Sequence, residues 1–174
     1  MQNNKRYAVF CGSCDGKSPD YAEQAYLLGK TLANKNIQLV FGGGNVGLMQ
    51  KVANGCMDNN GYSIGVIPRF LVQREVAHKG VTELVIVETM HERKKIMFEL
   101  ADGFIILPGG FGTLDELFEL LTLKKLGLLN KPIAILNTND FYKPLQNLIQ
   151  QLQDDGFIPD NQQPIVISEM DSMF

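Results

Sequence analysis

Gly103-Phe104-Ile105-Ile106-Leu107, Pro108-Gly109-Gly110-Phe111-Gly112-Thr113 and Leu114-Asp115-Glu116-Leu117 follow one another without a break. An apolar run with no polar alternation is the pattern of a strand buried on both faces. The glycines after it mark a tight turn, and the leucines at three-residue spacing open an amphipathic helix over Thr113 to Leu126. Strand, glycine loop and helix in that order form one half of a βαβ unit. The same succession occurs earlier, where Ile37 to Phe41 runs into Gly42-Gly43-Gly44-Asn45-Val46-Gly47 and then a helix carrying Leu48, Met49, Val52, Ala53 and Cys56.

Working outward, Tyr7 to Cys11 is a strand, and Ser18-Pro19 starts a helix with Ser as N-cap and Pro in the first turn. Tyr62 to Ile67 and Leu84 to Val87 are further strands. Met90 to Ala101 is a helix, Pro132 to Leu136 a strand, and Asp140 to Asp154 a helix that Gly156 stops. The tail from Pro159 adds a short edge element. Apolar strands separated by helices predict an α/β fold, a single Rossmann-like three-layer domain over residues 1–174 with a mostly parallel sheet. Its ligand is expected beyond the carboxyl ends of the strands, where the strand order reverses. The stretch from Pro68 to Thr82 is the longest irregular segment and a candidate pocket-lining loop.

Composition narrows the function. With 174 residues, 45% apolar, and 16 Lys and Arg against 19 Asp and Glu, the chain has a formal charge of -3. It lacks the concentrated basic face that a duplex nucleic-acid binder needs, so no nucleic-acid partner is expected. No apolar run has the length of a membrane span or a signal-peptide core, so no membrane association is expected. Three cysteines without an export signal indicate reduced thiols and a cytoplasmic location.

Both glycine loops precede helices, so each can turn free N–H groups and the positive helix end toward an anion such as phosphate. Thr113 is placed to cap its helix and offer a hydroxyl to a phosphate oxygen. Tight turns with no ligand are the plain alternative. Other matches fail by context. Gly42-x-Gly44-x-x-Gly47 spells the dinucleotide fingerprint but follows the second strand, and Arg69 stands where an acidic residue would be needed. That Arg keeps an NADP-binding oxidoreductase open as an alternative. Gly12 to Ser18 falls one residue short of a P-loop, and Gly61-Tyr62-Ser63-Ile64-Gly65 has strand three running through a would-be nucleophile elbow. Gly61 reads instead as a helix C-cap. Cys11-Gly12-Ser13-Cys14 lies several residues ahead of its helix, which disfavours thioredoxin-type chemistry. His78 and His91 lack metal-ligand spacing, so no metal site is expected.

The helix from Met90 places Met90, Arg93, Lys94 and Met97 on one stripe at a strand's carboxyl end. Glu116 falls just beyond the second glycine loop. Cations, a carboxylate and two anion cradles at one sheet edge favour a phosphorylated ligand.

Met90-His91-Glu92-Arg93-Lys94-Lys95-Ile96-Met97 followed by Pro108-Gly109-Gly110-Phe111-Gly112-Thr113-Leu114-Asp115-Glu116 resembles the paired signature of the Lonely Guy (LOG) family. Phe10-Cys11-Gly12-Ser13, Gly42 to Met49, and Leu126-Gly127 with Lys131-Pro132 resemble further family segments. The resemblance implies a cytokinin riboside 5′-monophosphate phosphoribohydrolase that splits a purine nucleoside 5′-monophosphate into free base and ribose 5-phosphate. It also implies a homodimer or higher homo-oligomer and no cofactor. By motif, Arg93 and Glu116 are the implied catalytic pair. Implied substrate contacts are Glu75, Lys94, Gly110, Phe111, Gly112, Thr113, Thr122, Gly43, Gly44, Gly47 and Ser13. Members often carry Trp and Gln where this chain has Leu123 and Lys125, which makes plain AMP a competing substrate to prenylated nucleotides. Proteins with this signature have sometimes been called lysine decarboxylases, but no pyridoxal-phosphate lysine context is visible. A non-catalytic nucleotide-binding or carrier protein is the other alternative.

Overall fold

The computed structural model describes residues 4–72 and 77–159 and the backbone of 165–167. Seven strands form one sheet: β1 (Arg6–Phe10), β2 (Gln38–Phe41), β3 (Ser63–Pro68), β4 (Glu83–Val87), β5 (Gly103–Ile106), β6 (Ile133–Leu136) and β7 (Ile165–Ile167). Their order is β4-β3-β2-β1-β5-β6-β7, and every pairing is parallel. The chain builds outward from β1 to β4, crosses back to β5 on the other side of β1, and then builds outward again. The order therefore reverses between β1 and β5, which places the expected ligand crevice at the ends of those two strands. The short tail element is β7, at the sheet edge.

Helices cover both faces. On one face α1 (Pro19–Asn34) and α2 (Gly47–Met57) bury Leu28, Leu32, Val52 and Cys56 against Val9, Leu39 and Phe41. On the other, Met97 of α3 (Met90–Leu100) and Leu117 and Leu120 of α4 (Phe111–Lys125) pack on Phe10, Val66 and Phe104, with Leu145 of α5 (Lys143–Asp154) against the same cluster. Alternate residues of β1 thus serve opposite cores, as a two-sided parallel sheet requires.

Beyond single-residue shifts at element ends, three features differ from the sequence reading, each for a local reason. Helix α4 begins at Phe111 with Gly110 as N-cap, so Thr113 sits inside the first turn and does not cap it. Among the described residues the left-handed position after α2 belongs to Asn60, with φ 58°. Gly61 is a glycine for space instead, since a Cβ there would meet Cys56 Sγ at 2.5 Å and Ala33 Cβ at 2.7 Å. Before α5, Asn139 and Asp140 adopt φ of 54° and 55°, which breaks the helix expected from Asp140 and delays it to Lys143. Elsewhere the reading holds: Ser18 Oγ accepts from the Asp20 N–H with Pro19 in the first turn, and Gly156 ends α5 at φ 79°. No helix among the described residues is long and apolar enough to cross a membrane.

Candidate active site

Three loops meet at the reversal point. Gly12 N–H of the loop after β1 donates to Pro108 O at 3.0 Å, and Leu48 N–H at the start of α2 donates to Gly12 O at 3.0 Å. Gly47, with φ 53°, backs onto Ser13 so closely that a Cβ would lie 2.3 Å from the Ser13 carbonyl carbon. Here glycine is needed both for its backbone conformation and for the contact.

The glycines of the two cradles differ in what they face. Gly42, Gly43 and Gly44 are buried. A Cβ on Gly42 would meet the Arg93 guanidinium at 1.9 Å, Gly43 O accepts from His78 N–H at 2.9 Å, and Gly44 bridges to Ala77. On these sides that loop packs against the protein itself. Gly110 and Gly112, by contrast, face open space: among the described residues, apart from chain neighbours and the helix's own backbone, no atom lies within 4 Å of a Cβ built on either. Phe111, Gly112 and Thr113 form the first turn of α4, where N–H groups have no carbonyl four residues earlier in the helix to bond. The second glycine loop is therefore the one that opens outward, with helix N–H groups at its end. Thr113 is buried, with its hydroxyl against Gly109.

Glu116 lies one turn into α4, on the face shared with Gly112 by i,i+4 spacing. It is 6% exposed, a rare burial for a carboxylate. Arg93, 8% exposed on α3, approaches it at 3.9 Å. The guanidinium also donates to Val66 O at 3.1 Å and Gly42 O at 3.3 Å, tying the ends of β2 and β3 to the carboxylate. Arg93 is thus a buried strut between two strands and Glu116.

The remaining predicted residues are dispersed. Lys94 bridges α3 to α4 through Asp115 at 2.9 Å and Glu119 at 2.5 Å. Burial alone would lower its pKa, but the hydrogen bonds and charges of Glu119 and Asp115 outweigh that and raise it. Ser13 is exposed at the rim. Phe111 is 95% exposed, its ring standing in solvent. Thr122 is exposed and returns its hydroxyl to Phe118 O at 2.7 Å; six residues from Glu116, it points off that face. Glu75 lies outside the described residues. Leu123, at the family's Trp position, lines a groove of about 390 Å³ with Lys95, Phe98 and Leu128, and neither Glu116 nor the glycine loop lines it. Sequence reasoning passed over Tyr142, whose hydroxyl donates to Leu107 O at 2.7 Å just ahead of the cradle.

Arg69, the residue that kept a 2′-phosphate dinucleotide open, is exposed and paired with Glu88 at 3.0 Å. Among the described residues no group of three His, Cys, Asp or Glu is placed to hold a metal ion.

Comparison with known proteins shows the family. A family model described as "Possible lysine decarboxylase" matches residues 49–173. A cytokinin riboside 5′-monophosphate phosphoribohydrolase of Rhodococcoides fascians is 46% identical over 88% of this chain and 78% of its own length. The rice enzyme LOG (Oryza sativa subsp. japonica) is 44% identical over 94% of this chain and 68% of its own. Among solved structures, a molybdenum cofactor binding protein from Rippkaea orientalis superposes with a TM-score of 0.74 at 23% identity, covering 98% of this chain and 93% of that one. At that identity the likeness is one of fold. The relatives at 44–46% identity carry the matching names, and the chain belongs to the Lonely Guy (LOG) family.

Proposed function

We propose that the protein hydrolyses the N-glycosidic bond of purine nucleoside 5′-monophosphates, releasing the free base and ribose 5-phosphate. The observation that carries this reading is a buried carboxylate one helical turn below an open anion cradle, on the same helix face. The 5′-phosphate sits at the first turn of α4, over Gly110 and Gly112, where free N–H groups and the helix dipole favour it. The ribose then extends toward Glu116.

As the bond from C1′ to the base nitrogen breaks, its electron pair leaves with the base and positive charge develops on the ribose. A fixed carboxylate beside the ring stabilises that charge more than it stabilises the neutral ground state, which is what lowers a barrier. Glu116 also orients the water whose oxygen adds to C1′, while the departing base takes up a proton. Arg93 is the positioning residue: its three contacts hold Glu116 in register with the ends of β2 and β3. Lys94, already held by two carboxylates, acts by joining α3 to α4.

A carrier that only binds a nucleotide is the competing reading, and the likeness in fold to a molybdenum cofactor binding protein is the observation in its favour. Glu116 separates the two. A pure binder gains nothing from a buried carboxylate near its anion, since like charges repel. AMP and prenylated nucleotides are both candidate substrates, and the assay below compares them. Phe118, Leu126 and Leu128 leave an exposed apolar run along and after α4, which suits a homodimer; light scattering tests that. For the activity itself, the protein is incubated without metal with AMP and with isopentenyladenosine monophosphate, and free base is assayed. Stoichiometric base and ribose 5-phosphate support the hydrolase; tight nucleotide binding with no base supports the carrier.

A further inference from the structure

We propose that Tyr142 is a positioning residue for the phosphate cradle, pinned in place by the strained turn between β6 and α5; the proposal rests on the reading of Gly110 and Gly112 as that cradle.

The two carbonyls at the entrance of the loop are each tied. Tyr142 Oη donates to Leu107 O at 2.7 Å, and Gly12 N–H donates to Pro108 O at 3.0 Å. The bond to Pro108 joins two loops at the reversal point. The bond to Leu107 comes from a side chain 35 residues away that is 2% exposed and packed in the α3–α4 core. Beyond these two anchors the loop runs through Gly109, packed against Gly12 and Thr113, to Gly110, whose carbonyl accepts from Leu114 N–H at 3.1 Å, and into the first turn of α4 at Gly112. The direction in which the chain enters that first turn is set at Leu107 and Pro108. Burial, with Cys11 adding to it, pushes the Tyr142 phenol far above its usual range, so it stays a donor.

The turn that delivers Tyr142 is itself costly. Asn139 and Asp140 both hold positive φ, a conformation that persists in non-glycine residues only where surrounding contacts impose it. Those contacts are present. Asn139 Nδ2 donates to Asp20 Oδ2 at 2.7 Å and to Ser18 Oγ at 3.3 Å, at the N-cap of α1. Asn137 Oδ1 accepts from Tyr142 N–H at 2.7 Å, and Asn137 Nδ2 donates to Asp140 Oδ1 at 3.3 Å. The Phe141 ring lies edge-on to both Tyr21 of α1 and Tyr142. Strain held next to the ligand end of the sheet, with one buried hydroxyl aimed at the loop, is a positioning device.

Tyr142→Phe keeps the ring and removes only the donor, leaving the Leu107 carbonyl unsatisfied. A cradle that holds phosphate alike in substrate and transition state sets KM and not kcat. The expected result is a rise of about tenfold in KM for AMP, with kcat within about twofold. Ribose 5-phosphate, titrated calorimetrically, should lose affinity by a similar factor. If Tyr142→Phe does not fold, Asn139→Gly replaces it; glycine keeps the left-handed turn but drops the anchor to α1, and a smaller KM rise of about threefold is expected. Wild-type KM and ribose 5-phosphate affinity in a folded variant overturn the proposal, as does a loss confined to kcat. If the wild-type protein itself releases no base, the hydrolase reading fails, and the ribose 5-phosphate titration still decides on Tyr142.

Discussion

Replacing Arg93 by Met, alone and together with Glu116→Gln, separates a strut from a freely placed charge. Methionine fills much of the arginine's volume without its donors. Its introduction leaves Val66 O and Gly42 O, now bonded at 3.1 and 3.3 Å, without the guanidinium, and each unsatisfied buried carbonyl costs about 1–3 kcal/mol. It also strips Glu116, at 3.9 Å and 6% exposed, of its cation, and breaking a buried pair from one side costs about 3–5 kcal/mol. In the Glu116→Gln background that buried negative charge is gone, so only the carbonyl cost remains. The four proteins are unfolded in urea at pH 7 and followed by circular dichroism. Arg93→Met is expected to cost at least about 5 kcal/mol alone and about 3–5 kcal/mol less in the Glu116→Gln background. Costs that add to within about 0.5 kcal/mol would refute the coupling, and with it the view that Arg93 holds Glu116 in place.

Other expectations follow from the same geometry. Gly112→Ala meets no atom within 4 Å, so thermal stability should hold or rise by up to about 1 kcal/mol, while the added methyl raises KM for AMP by about tenfold or more; an unchanged KM would remove phosphate from that position. Gly47→Ala, with φ 53° and a Cβ 2.3 Å from Ser13, should instead lose about 2 kcal/mol or more in urea unfolding, and wild-type stability would contradict the close packing of the two loops. His78 is buried, its Nδ1 accepting from Gly80 N–H and its Nε2 facing Asn54 Oδ1, and burial lowers its pKa below 6.5. The unfolded chain therefore binds the proton first. Stability present above pH 6.5 should fall as pH drops toward the folded-state value, and His78→Gln should flatten that slope; equal slopes would place the effect elsewhere.

Much of the fold was legible because the cues are local. Phe104, Ile105 and Ile106 are apolar without alternation because both faces of β5 are covered, and Ser18-Pro19 carries its cap in its own side chains. The strand order was not legible, since it depends on where the chain crosses back after β4. The glycines were ambiguous for a different reason. A glycine that opens onto free space and one that makes room for Arg93 have the same letter, and only the surroundings tell Gly112 from Gly42. That Arg93 ties two strands to Glu116 was not legible, because its acceptors, Val66 O and Gly42 O, are backbone atoms 27 and 51 residues away. Tyr142 escaped notice likewise, as its partner is a carbonyl with no sequence signature. The start of α4 was placed two residues late because glycine is a poor helix former, yet Gly112 is tolerated in a first turn that leaves its N–H free.

The most direct test is base release by wild-type protein and by Glu116→Gln, with AMP and isopentenyladenosine monophosphate as substrates and no added metal. The account predicts equal amounts of free base and ribose 5-phosphate from the wild type, and no detectable base from a variant that still folds and still binds ribose 5-phosphate. Near-normal turnover by Glu116→Gln, or no base from either nucleotide with the wild-type protein, would contradict it.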